Sequence, residues 1–64
     1  MPDTYIEEAI NSRKPVAVFV LNGFQIRGCV LADNGDSIVI SSGGKNKLVF
    51  KHAISTIEPV QENS

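Results

Sequence analysis

Residues 16–33 commit the chain to β-structure before the rest of it is read. Val16-Ala-Val-Phe-Val-Leu21 is a continuous apolar run rich in β-branched residues, the composition a packed, pleated strand favours. Asn22-Gly23 follows at once. That dipeptide is a strong short hairpin signal, because a type I′ turn needs two residues that accept positive φ. Phe24 to Asp33 then reads as the return strand. With a two-residue turn, Leu21 faces Phe24, Val20 faces Gln25, Phe19 faces Ile26 and Val18 faces Arg27. Directly opposed residues share a face. This register therefore puts Phe19, Leu21, Phe24 and Ile26 on one side, with Val16, Val18, Val20, Gln25 and Arg27 on the other. Both sides carry apolar groups, and so small a sheet cannot bury both in one core. At least one must meet a neighbouring copy or a flat ligand.

The remaining elements fall around this hairpin. Tyr5, Ile6, Ala9, Ile10 and Arg13 form one stripe at helical spacing, which predicts a helix over 3–13 that ends before Pro15. Asn34-Gly35 and Ser42-Gly43-Gly44-Lys45 read as further turns, separating strands at 37–42, 47–51 and 53–57. Pro59 and the polar Gln61-Glu62-Asn63-Ser64 close the domain, giving a folded unit over 1–59 and a short tail over 60–64. The fold class is mainly β with one N-terminal helix, as a strongly bent five-stranded antiparallel sheet or small open barrel.

Size decides how such a sheet is stabilised. A chain of 64 residues buries only about 60% of the surface it exposes when unfolded. Cys29 is the single cysteine and His52 the single histidine, so neither an internal disulfide nor a Cys/His zinc site can staple it. Self-association is the remaining support. No apolar run reaches the ~20 residues of a membrane span, and the acidic stretch Met1–Glu8 does not resemble a signal peptide. A cytoplasmic protein is expected, with no metal, cofactor or small-molecule substrate.

Net charge is −1, but all basic residues (Arg13, Lys14, Arg27, Lys45, Lys47, Lys51) lie between positions 13 and 51, where Asp33 and Asp36 are the only acids. A basic middle between acidic ends is compatible with a local polyanion site, and equally with an ordinary solvated surface. Phe19 and Phe24 beside Gln25 and Arg27 would suit base binding, since an aromatic face stacks a base for ~1–3 kcal/mol. They would also serve as core or interface residues. With one His, one Cys and no paired carboxylates at a telling spacing, no catalytic triad or metal centre can be assembled within a subunit. An enzyme is not expected.

Two blocks carry a resemblance. Asn22-Gly-Phe-Gln-Ile-Arg-Gly28 and Leu48-Val-Phe-Lys-His-Ala-Ile-Ser-Thr-Ile57 together resemble the Hfq family of bacterial RNA chaperones, within the Sm-like fold. The second block is the more specific, since Phe50-Lys51-His52-Ala53 stands where the family usually has Tyr-Lys-His-Ala. The resemblance covers nearly the whole chain, from the helix to Pro59.

It implies a homohexameric ring, closed by pairing strands of adjacent subunits, that binds small regulatory RNAs and messenger RNAs and promotes their pairing. On one (distal) face, A-rich RNA would lie on Phe19, Asn22, Gly23, Phe24, Gln25, Ile26 and Arg27. On the opposite (proximal) face, Lys51 and His52, with Phe50 beside them, would hold uridine-rich ends. Arg13 and Lys14 would be the cations of a reduced basic rim. The chain departs from the family where Phe-Asp-(Gln/Asn)-Phe is usual: it reads Asp33-Asn34-Gly35-Asp36. The uracil-stacking phenylalanine is replaced by Asp36, so weakened proximal binding is expected of this divergent member. The competing reading is an Sm-like or SH3-like module whose apolar hairpin face binds protein without annealing RNA.

Overall fold

The computed structural model describes residues 3–60. Residues 61–64 of the expected 60–64 tail lie outside them, as do Met1 and Pro2. Helix α1 (Asp3–Ser12) leads into strands β1 (Val16–Val20), β2 (Gln25–Asp33), β3 (Ser37–Ser42), β4 (Lys45–Phe50) and β5 (Ile54–Pro59). All pairings are antiparallel, and the strands lie in the order β4-β3-β2-β1-β5. One helix and five antiparallel strands are the expected architecture.

Helix α1 is held by its stripe. Ile6 and Ala9 are buried in the core and Ile10 packs against it. The helix stops one residue short of the expected 3–13, because Arg13 turns into the left-handed region (φ 60°) while its N–H still donates to Ala9 O at 3.1 Å. The rest of the core comes from β1 (Val16, Val18), β2 (Val30), β3 (Ile38, Ile40) and β4 (Val49). Each such side chain contributes about 1.5–3 kcal/mol when fully withdrawn from water.

Strand β2 belongs to both halves of the sheet. It pairs with β1 as far as Gly28 and with β3 from Cys29 onward. A Cβ at Gly28 would overlap the backbone carbonyl oxygen of Ser41 and touch Ile40. Only glycine lets β3 approach β2 this closely, so the sheet bends there. Just beyond, the register shifts between Val30 and Ala32, leaving Leu31 as an exposed bulge; bulges sharpen bend and twist.

The expected strands 47–51 and 53–57 are corrected to β4 and β5. Gly43 and Gly44 both take positive φ (61° and 81°) and close a tight turn, so pairing starts at once with Ser42 opposite Lys45. A short 3-10 turn over Lys51–Ala53 then takes those residues out of the strands. Within the chain β4 and β5 are the two outer strands, each with one unpaired edge.

Candidate functional site

The first hairpin differs from the expected one by a single residue, and that changes its faces. Val20 N–H donates to Phe24 O (3.0 Å) and Gly23 N–H donates to Val20 O (2.9 Å), with Gly23 at φ 96°. This is a three-residue loop, Leu21-Asn22-Gly23, with glycine at the left-handed position, the second common use of Asn-Gly. Asn22 fixes it further by accepting the Phe24 N–H on its side-chain oxygen at 3.2 Å. Consequently Phe19 pairs with Gln25, Val18 with Ile26 and Ala17 with Arg27. The expected grouping of Phe19 with Phe24 and Ile26 is therefore corrected. A one-residue slip exchanges faces, and this register places Val16, Val18 and Ile26 together on the core side.

Phe19 instead shares the outer face with Gln25 and Arg27. Phe19 is half-buried, whereas Asn22, Gly23, Phe24, Gln25 and Arg27 are exposed and Ile26 is half-buried against the core. Phe24 keeps 70% of its surface in solvent. It lines an open, largely apolar groove with Leu21, Ile26, Leu48 and Phe50, edged by Asn22, Gln25 and Lys47. Sequence reasoning missed Lys47 and Leu48 here. They reach the groove because β4 follows β3 back across the bent sheet, which no local pattern announces.

At the other end of β2 the chemistry is different. The Lys51 ammonium sits 2.9 Å from Asp33 Oδ1 and 3.2 Å from Asp33 Oδ2. Gly35 N–H donates to the same Oδ1 at 2.9 Å, an Asx-type turn that fixes the carboxylate. The Lys51 backbone N–H donates to Asp36 O at 2.9 Å, tying the end of β4 to this turn. The Gly35 N–H, and then the Lys51 ammonium, hold the Asp33 carboxyl below the usual carboxylate range. His52 is exposed and its ring stacks on that of Phe50, centroids 5.7 Å apart. Phe50 thus stands between the two regions, lining the groove with Phe24 while stacking on His52. Asp36, which stands where the resemblance implies an aromatic, is exposed.

Arg13 and Lys14 are exposed just past α1. Cys29 is half-buried and its thiol lies 3.4 Å from Arg13 O, donating to it. Among the described residues no group of three or more His, Cys, Asp or Glu is placed to hold a metal, and no helix is long and apolar enough to cross a membrane. The arrangement offers exposed aromatic and amide groups at one turn and an acid-clasped lysine at the other.

Comparison with known proteins identifies the lineage. The family model described as Hfq protein matches residues 1–64. The chain is 42% identical to the RNA-binding protein Hfq of Oceanobacillus iheyensis over 62 residues, 97% of this chain and 84% of that protein. It is 39% identical over 61 residues to the RNA-binding protein Hfq of Clostridium perfringens, 95% of this chain and 76% of that one. Among solved structures, it superposes on an Hfq described as a pleiotropic translational regulator with TM-score 0.84 and 38% identity, covering 88% of this chain and 93% of the other. An Hfq protein from Anabaena sp. shares the fold at TM-score 0.81 and 22% identity, covering 91% and 93%.

Proposed function

The chain belongs to the Hfq family, which is non-enzymatic, and from that premise we propose that it is an RNA chaperone favouring A-rich strands. The observation that carries this reading is Phe24: it stands 70% exposed beside Gln25 on a turn that glycine and an Asn side chain hold in place. Exposed rings on a rigid turn stack bases at low entropic cost, and neighbouring amides read their edges. The distal contacts are Phe19, Asn22, Gly23, Phe24, Gln25, Ile26 and Arg27, with adenines stacked on the aromatics and Arg27 near phosphate. Small regulatory RNAs and messenger RNAs are the partners, brought together with help from Arg13 and Lys14. The work is done in the cytoplasm.

The proximal contacts Phe50, Lys51 and His52 bind uridine-rich ends only weakly. Asp36 offers no stacking face, and the Asp33 carboxylate already holds the Lys51 ammonium at that turn. A homohexameric ring is the working form. The unpaired edges of β4 and β5 within one chain, and the exposed Leu48 along β4, would both be covered by a neighbouring copy.

The test is a screen of adenine-rich, uridine-rich and mixed RNA oligomers, with sedimentation of the protein and its complexes. A hexamer is expected that prefers adenine-rich strands, with affinity falling linearly in log salt by about 0.7 per phosphate contact. A monomer indifferent to polyadenylate would overturn the proposal. Binding of protein but no RNA would favour the interaction module instead.

A further inference from the structure

The Asp33–Lys51 pair is more than a departure from a family pattern. An exposed lysine that binds RNA must leave water and meet phosphate or a base carbonyl. Here the lysine is already engaged: its side chain and that of Asp33 retain only 17% and 22% of their exposure, and both carboxylate oxygens lie within 3.2 Å of the ammonium. The carboxylate is itself positioned by the Gly35 N–H, so little rotational freedom is lost in making the pair. Both the anchoring turn and the lysine's own backbone are held by the Lys51 N–H to Asp36 O bond. An incoming strand must displace a pre-positioned, intramolecular anion, and its phosphates then face the carboxylates of Asp33 and Asp36.

Resting on the proposed RNA-binding role of this face, we infer that Asp33 is a specificity-determining residue. Its carboxylate occupies Lys51 as an internal stand-in for the RNA anion, and so turns the Phe50–Lys51–His52 surface away from pyrimidine-rich single strands. The chain's preference for one face is thereby written into an ion pair rather than only into a missing aromatic ring.

Asp33→Asn tests this directly, because the amide oxygen can still accept the Gly35 N–H while the competing charge is gone. Binding of a uridine hexamer and an adenine-rich oligomer is measured at several salt concentrations for the parent, Asp33→Asn, Asp36→Asn and Asp33→Asn/Lys51→Ala. Asp33→Ser, whose hydroxyl can also cap the turn, is carried in parallel in case the first variant fails to fold. The inference expects Asp33→Asn to raise uridine affinity at least about tenfold, the return of one charge-assisted contact, and to steepen its salt dependence by about 0.7. Adenine-rich binding should stay within about twofold. Asp36→Asn, which removes the same charge without touching the Lys51 ammonium, should give a clearly smaller gain, and the double variant should lose the gain altogether. A merely structural role for the pair would move neither the salt slope nor base preference. No gain in either Asp33 variant, with adenine-rich binding retained, overturns the inference and leaves the proposed function standing. Loss of RNA binding by every protein, parent included, overturns both.

Discussion

At the Gln25 end of β2, the turn leaves Phe24, Gln25 and Arg27 facing solvent, and none of them is consumed by an ion pair among the described residues. At the Asp33 end, the turn uses its side chains on the protein itself, gathering Gly35 N–H and Lys51 around one carboxylate. One strand thus presents an open surface at one end and a self-satisfied one at the other. The comparison shows how a small fold can favour one ligand without changing its backbone. Groups that find no partner inside the chain are available outside it, and a cation already matched is not. Gly28 couples the two ends, since the close approach of β3 that it permits lies between them, and β3 in turn sets β4 in the register that brings Lys51 to Asp33.

The largest effect should come from breaking that coupling. Gly28→Ala sets a methyl group against the Ser41 carbonyl oxygen, and backbone atoms cannot rotate aside as a side chain can. A loss of about 3 kcal/mol is expected, seen as a shifted denaturation midpoint at matched protein concentration, with both ends of β2 losing binding together. A variant as stable as the parent would show that the bend does not depend on this approach. Next, Phe24→Ala should separate the two ends: adenine-rich affinity falls by about 1–3 kcal/mol. Stability should change by less than about 0.5 kcal/mol, because so exposed a ring contributes little to the core. Equal loss of uridine-rich binding would mean that the ends do not act separately.

A smaller effect should appear in acid. The Asp33 carboxyl is held below its ordinary value of 3.8, first by the Gly35 N–H and then by Lys51. A carboxyl depressed in the folded state stabilises it above the unfolded value, and the contribution disappears as pH falls through the folded one. The parent should therefore exceed Asp33→Asn in stability at neutral pH by a constant margin. That margin should begin to close only near pH 3.8 and vanish below it. Closure between pH 5 and 7, measured by thermal unfolding of both proteins, would assign the effect to another group.

How far the sequence reaches is clearest at the first hairpin. The apolar stripe of α1, the strand at 37–42 and the tight Gly43-Gly44 turn are legible because each signal is local. Asn22-Gly23 is equally visible but serves two turn geometries, and the dipeptide alone does not choose between them. The choice is made by burial: a two-residue turn sets Val18 opposite Arg27, whereas the observed loop sets it opposite Ile26 and keeps the β1 valines on the core face. The Asp33–Lys51 contact spans 18 positions and depends on two strand registers and the bulge at Leu31. Asp33 was legible as a departure from the family, but not as the partner of Lys51.

The smallest expected effect concerns the edge between the two ends, at Arg13. Its φ of 60° lies where a residue with a Cβ is disfavoured by roughly 1–2 kcal/mol, and glycine is the usual occupant of such a helix end. Arg13→Gly should relieve that strain, less the extra chain entropy glycine loses on folding, for a net gain of about 0.5–1 kcal/mol. If the guanidinium is kept here to bring two RNAs together, the same change should slow annealing of a complementary pair several-fold while leaving adenine-rich affinity nearly unchanged. Lys14→Ala should slow annealing without the gain in stability, because Lys14 has no positive φ to relieve. Stability and annealing would then move in opposite directions at one residue, which ordinary surface charge does not predict. A stabilised Arg13→Gly protein that anneals RNA at the parent's rate would remove Arg13 from the rim and leave its conformation as strain without a purpose.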